Sequence, residues 1–188
     1  MFVLNEKLET TVEIQDTTYE VDMSFDNVML FLEIMEDQTL TDSQKVYYGI
    51  YTLLGCELEL EMEEQTKVFQ SLLENFINSG EEKEANVDLE GNVIPVAPRQ
   101  KSYDLKEDAP YIYSSFRQAY GMNLFEEQGK LDWREFKTLL RDLPSDTKLK
   151  QVIDIRMRPY PKGKGMGEER RRLKELKRHY ALPGVEVE

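Results

Sequence analysis

The chain has 188 residues, 37 of them Asp or Glu against 24 Lys or Arg, which gives a formal net charge of −13. One cysteine excludes an intramolecular disulfide and a cysteine-rich zinc site, and one histidine removes most histidine-based catalysis and His-rich metal sites. Hydrophobic residues at 40% suffice for a core, no apolar run approaches the roughly 18–20 residues that cross a bilayer, and residues 1–9 carry acids where a signal peptide has a basic start, so a soluble, intracellular, acidic protein is expected.

The first elements read as a hairpin. Val12 and Ile14 alternate with Glu13 over residues 11–15, Asp16-Thr17-Thr18 supplies a turn, and residues 19–22 resume with Val21 inward. Ser24 is placed to cap a helix over residues 25–36, with Phe25, Val28, Met29, Leu32 and Met35 on one stripe. Thr41-Asp42-Ser43-Gln44 matches a capping box, announcing a helix to about Leu54 that buries Val46, Tyr47, Ile50, Leu53 and Leu54 and stops at Gly55. A third helix is predicted over 63–79, with Val68, Leu72, Leu73, Phe76 and Ile77 at 3-4 spacing and Gly80 at its end. This first unit, residues 1–80, is a mostly helical or small α+β domain.

Residues 81–102, with Gly91, Pro95 and Pro98 and no sustained apolar period, read as a linker. Val93-Ile94-Pro95-Val96 fits a short edge strand, since proline forbids a central one.

The second unit, residues 103–188, starts with Asp108 as a helix cap and Ala109-Pro110 in the first turn. Tyr111, Ile112, Ser115, Phe116 and Ala119 follow at helical spacing, and Gly121 stops the helix. Asp132 caps residues 133–141, which place Trp133, Phe136, Leu139 and Leu140 on one face. Pro144 breaks the chain, and Ser145 caps a helix marked by Leu149, Val152, Ile153 and Ile155 that ends before Pro159. A Pro/Gly loop precedes a last helix from Glu168 to about Tyr180, closed by Leu182-Pro183-Gly184. The fold class expected is mainly α with a small N-terminal β-hairpin, in two small helical units joined by a linker.

Charge divides with the units. Residues 1–90 hold 4 basic and 22 acidic side chains, net −18; residues 91–188 hold 20 basic and 15 acidic ones, net +5. Such asymmetry marks units with different neighbours or units that attract each other, although a solvated acidic surface also serves solubility. Arg156 to Tyr180 carries ten basic and three acidic residues, net +7. An overall charge of −13 opposes a nucleic-acid contact here, and no aromatic stacking motif is interleaved with the cations. A solvated face or a patch for an acidic protein partner fits better, and the partner is open to include the first unit of the same or a neighbouring copy.

Sites for chemistry are poorly supported. Cys56 has no His nearby in sequence and no basic residue within ten positions, and His179 sits at a helix C-terminus where a cation is favoured. The acidic run Glu57, Glu59, Glu61, Glu63, Glu64 alternates with leucines and lacks a metal-loop pattern, so it reads as an extended segment with a solvated face or as the start of the third helix. Gly163-Lys164-Gly165-Met166-Gly167 lacks phosphate-loop spacing. Neither a cofactor nor a metal is expected, nor enzymatic activity.

Tyr111-Ile112-Tyr113-Ser114-Ser115-Phe116, Tyr120-Gly121-Met122-Asn123-Leu124 and Leu131-Asp132-Trp133-Arg134-Glu135-Phe136 resemble consecutive blocks of a phage tail protein family. Leu143-Pro144-Ser145-Asp146-Thr147, Ile155-Arg156 and Tyr180-Ala181-Leu182-Pro183 continue the series in order. Many members carry His-Trp-Trp-Lys-Phe where this chain has Asp132-Trp133-Arg134-Glu135-Phe136; Asp132 retains the capping function. The family belongs to long, non-contractile tailed phages and prophages of Gram-positive bacteria, encoded between the major tail protein and the tape-measure protein. The resemblance implies a tail assembly chaperone that works in the host cytoplasm, binding tape-measure protein and recruiting major tail protein, with a permanent tail or tail-tip component as the alternative. It assigns partner contacts to Phe76 in the first unit and to Tyr111, Phe116, Trp133, Phe136, Arg156, Arg170, Arg171, Arg172 and Lys174 in the second; self-association stays open.

Overall fold

Strands β1 (Thr11–Ile14) and β2 (Thr17–Glu20) pair antiparallel, Val12 opposite Tyr19 and Ile14 opposite Thr17, in a computed structural model that describes residues 4–78 and 101–186. The turn is Gln15-Asp16, slightly earlier than the spacing suggests. Both residues have positive φ, 46° and 62°, as a two-residue hairpin loop that follows the strand twist requires.

Helix α1 (Phe25–Glu36) keeps its predicted limits, but Ser24 does not cap it. Its amide and hydroxyl both donate to Asp22 Oδ1, at 3.0 and 2.7 Å. The inward face is Phe25, Val28 and Phe31, while Met29, Leu32 and Met35 are half-buried. Helix α2 (Asp42–Leu54) starts on the complete capping box: Thr41 Oγ1 accepts from the Gln44 amide and Gln44 Oε1 accepts from the Thr41 amide. Gly55 closes it at φ 67°, the left-handed turn that a side chain disfavours.

Residues 57–61 form neither helix nor strand, the Leu60 amide donating to Leu58 O at 2.9 Å, with Leu58 and Leu60 half-buried and the three glutamates exposed. Helix α3 (Met62–Leu72) then widens into a π-turn over Leu73–Ile77, where the Asn78 amide donates to Leu73 O at 2.8 Å. Phe76 and Ile77 both face inward there beside Leu72.

Close approach of α2 and α3 depends on Gly49. A Cβ there would lie 2.6 Å from Phe69 Cε2, 3.0 Å from Phe31 Cε2 and 3.2 Å from Met35 Cε. Gly49→Ala removes the helix-interior glycine penalty of about 1 kcal/mol but overpacks a contact whose strain costs about 1–3 kcal/mol. Net destabilisation of up to about 2 kcal/mol is therefore expected by urea denaturation, and Gly49→Leu should do worse.

The remaining helices are α4 (Ala109–Tyr120), α5 (Trp133–Arg141), α6 (Lys148–Met157) and α7 (Gly167–Tyr180). The described residues are thus mainly α with one small hairpin. Chain packing divides them differently from chain order: one compact unit is Met1–Ala85 with Glu127–Thr138, the other Asn86–Glu126 with Leu139–Glu188. Residues 127–138 therefore belong with the first unit and not with a continuous 103–188 unit. Backbone pairing explains the exchange: the Phe25 amide donates to Leu131 O at 2.9 Å and the Trp133 amide to Met23 O at 2.7 Å, an antiparallel bridge between Ser24 and Asp132. Phe136 then stacks on Phe25 with centroids 4.9 Å apart, and Arg134 donates to Glu9 O. The linker expected at 81–102 and its edge segment 93–96 lie outside the described residues except for 101 and 102, as does the helix stop at Gly80.

In the second unit, α4 ends as predicted on Gly121 at φ 67°. In the first unit, Asp132 caps α5 by accepting the Arg134 amide at 2.8 Å. In the second unit one expected cap falls elsewhere. Thr147, not Ser145, stands before α6, its hydroxyl donating to Pro144 O at 2.6 Å. An orphan amide of α6, that of Leu149, is satisfied by Ser115 Oγ of α4 at 3.0 Å, a partner 34 residues away.

Candidate functional site

Four of the ten residues assigned to partner contacts are core residues. Phe76, Trp133 and Phe136 are buried in the first unit and Phe116 in the second. Their apolar area is already removed from water by packing within their own unit, so the aromatic periodicity that singled them out reports the core and not a docking face. Trp133 lies 5.6 Å from Phe136 ring to ring, with Lys137 Nζ 5.5 Å from its centroid, and its buried Nε1 has no hydrogen-bond partner among the described residues.

Arg156 and Tyr111 are also used internally. The Arg156 guanidinium forms a two-pronged ion pair with Asp108, Nη1 to Oδ2 at 2.6 Å and Nη2 to Oδ1 at 2.8 Å. Its Nε donates to Tyr180 O at 2.6 Å and Nη1 to Ser102 O at 3.2 Å. The side chains are 8% and 1% exposed, so this is a buried pair that joins four chain segments of the second unit. Asp108, expected as a helix cap, makes no side-chain bond to α4; its carboxylate instead accepts from Arg156 and from the Asp104 amide at 3.0 Å. Asp104 organises the turn before α4. Burial pushes its carboxyl upward, but hydrogen bonds from Lys101 and from the Glu107 and Lys106 amides outweigh this and hold it below the ordinary carboxylate range. Tyr111 is half-buried, edge-on to Tyr180 at 6.1 Å, and Lys148 lies over both rings while donating to the Tyr180 hydroxyl at 2.7 Å.

The basic residues of α7 do lie on the surface. Arg170, Arg171 and Arg172 are exposed and Lys174 half-buried, on a helix whose buried side chain is Leu173. Arg171 pairs with Glu175 at 3.2 Å, and Arg170 donates to Pro161 O. Between α6 and α7 lies an open groove of about 640 Å³, lined by Leu143, Ile153, Ile155 and Leu176 with Lys150 and Arg158 among its polar members.

Exposed apolar side chains in the first unit escaped the sequence assignment. Leu30 on α1 is 52% exposed, and Tyr48 and Tyr51 on α2 are 41% and 48% exposed. A signal for them existed: each stands off the inward stripe of its own helix, at a position where a polar residue is ordinary. Phe125, 71% exposed beside Tyr113, is the counterpart in the second unit. No group of His, Cys, Asp and Glu suited to a metal ion occurs among the described residues, and no helix there is long and apolar enough to cross a membrane.

A surface of this kind, with apolar side chains on an acidic unit and cations on a basic one, suits macromolecular contacts. The family described as Bacteriophage Gp15 protein matches the chain over residues 4–182. The chain belongs to that family. This agrees with the phage origin implied by the ordered blocks from Tyr111 to Pro183, and the match extends through both units. No curated protein and no solved structure matches the chain.

Proposed function

We propose that this phage protein is a non-enzymatic tail assembly chaperone of the host cytoplasm, which binds tape-measure protein through its first unit and recruits major tail protein through its second. The observation that carries the reading is the set Leu30, Tyr48 and Tyr51, large apolar side chains left exposed on α1 and α2 of an otherwise acidic unit. An amphipathic helix of a client docks on such side chains through its apolar positions, while the surrounding carboxylates keep the complex soluble. The family resemblance supplies the client, a long helical tail protein prone to aggregation.

Co-expression with the tape-measure and major tail proteins of the same phage tests this. Tape-measure protein is expected in the soluble fraction and co-purifying with the chain, and a Leu30→Asp/Tyr51→Asp variant is expected to lose both effects while keeping its helical content. Failure of the wild type to solubilise or retain either partner would overturn the reading. Mass spectrometry of finished particles separates a chaperone, absent from them, from a permanent tail component.

A further inference from the structure

The α6–α7 surface of the second unit presents more positive charge than its own unit neutralises. Arg172, Lys174 and Arg178 on α7, and Lys162 and Lys164 in the loop before it, have no ion-pair partner among the described residues. The same surface carries the groove floored by Leu143, Ile153 and Leu176, and exposed Met157 at the end of α6. A partner for this face therefore has to bring carboxylates together with some apolar area.

The first unit offers that combination. Residues 57–64 contain five glutamates and no Lys or Arg. Leu58 and Leu60 are half-buried and Glu59 and Glu61 exposed, while Met62, 45% exposed, supplies apolar area within the strip. Glu59, Glu61 and Glu64 have no ion-pair partner among the described residues, and Lys67 pairs with Glu63 alone. A nucleic acid meets the carboxylate-like charge requirement but is repelled by the chain's −13 and finds no stacking aromatics between the cations.

We propose that the α6–α7 face of one copy docks the 57–64 strip of a second copy, head to tail. The two surfaces are different, so the contact is heterologous, and each copy keeps one free surface of each kind after the first association. Growth into rings or open chains follows, rather than arrest at a two-fold dimer. This contact uses neither Leu30 nor Tyr51, so it stands or falls separately from the tape-measure reading.

Sedimentation velocity of the full chain tests it. Wild type is expected to form species larger than a dimer at about 50 mM salt and to dissociate at about 500 mM, where screening shortens the reach of the charges. Two charge-neutralised variants, Arg171→Gln/Arg172→Gln/Arg178→Gln and Glu59→Gln/Glu61→Gln/Glu64→Gln, are each expected to be monomeric with wild-type circular dichroism. Mixed in equal amounts, they are expected to give a heterodimer and nothing larger, because only one good acidic strip and one good basic face remain. A monomeric wild type at low salt, which a contact within one chain would also produce, overturns the proposal. So does a mixture that stays monomeric, or a wild type whose association is unchanged by salt. Retention of a labelled single-stranded oligonucleotide by wild type, lost in the arginine variant, would assign the face to nucleic acid and overturn it as well.

Discussion

Arg156→Met is expected to destabilise the second unit by about 3–5 kcal/mol, because it leaves the Asp108 carboxylate buried without its counter-charge. At 1% exposure Asp108 cannot recover water, and among the described residues the Asp104 amide at 3.0 Å is the one backbone donor still aimed at its carboxylate. The loss reaches further than the pair. Tyr180 O and Ser102 O also lose the guanidinium as donor, so the end of α7 and the segment before α4 are released together. Adding Asp108→Asn removes the stranded charge, and the double variant should be more stable than Arg156→Met alone. Chemical denaturation followed by far-UV circular dichroism measures both. A loss below about 1 kcal/mol would mean that the pair behaves like an exposed one and that Arg156 is free for a partner.

That outcome bears on how much of this molecule its sequence reveals. Local signals were legible because they act within one or two turns. Thr41 and Gln44 satisfy each other's amides across three residues, Gly55 and Gly121 adopt the φ of 67° their helix ends need, and α1 spans the predicted Phe25–Glu36. Long-range choices were not legible. Asp108 carries a good capping residue's chemistry, yet a guanidinium 48 residues away competes for the same oxygens and wins. Ser115 looked like a small residue on a helix face, and its hydroxyl instead caps another helix.

The candidate site divides along the same line. Charge is readable because exposed cations announce themselves by density, and Arg170, Arg171 and Arg172 are exposed. Aromatic residues are ambiguous, since a stripe that packs a core and one that binds a partner share a period. Leu30, Tyr48 and Tyr51 carry the better signal, being large apolar residues off the stripe. The exchange of residues 127–138 into the first unit has no signature in periodicity, because α5 keeps one amphipathic face whichever neighbours cover it.

Phe136→Ala measures what holds that segment in place, and a loss of about 3–5 kcal/mol from the first unit is expected. Its ring is 1% exposed and lies between two others, stacked on Phe25 at 4.9 Å with 13° between planes and on Trp133 at 5.6 Å with 18°. Removing it opens a cavity and ends two aromatic contacts worth about 0.5–1.5 kcal/mol each beyond their area. The bridge from Phe25 to Leu131 and from Trp133 to Met23 is then left with little apolar cover, and backbone hydrogen bonds exposed to water contribute only about 0.5–1.5 kcal/mol each. Trp133, the single tryptophan, reads the result directly: its fluorescence should shift red as the segment loosens. Phe136→Leu retains most of the volume and should cost less, about 1.5 kcal/mol or below. A partner-contact role predicts the opposite pattern, with both variants keeping wild-type stability and emission while losing co-purification with the tail proteins. At 1% exposure the ring has too little free surface to sustain that second pattern.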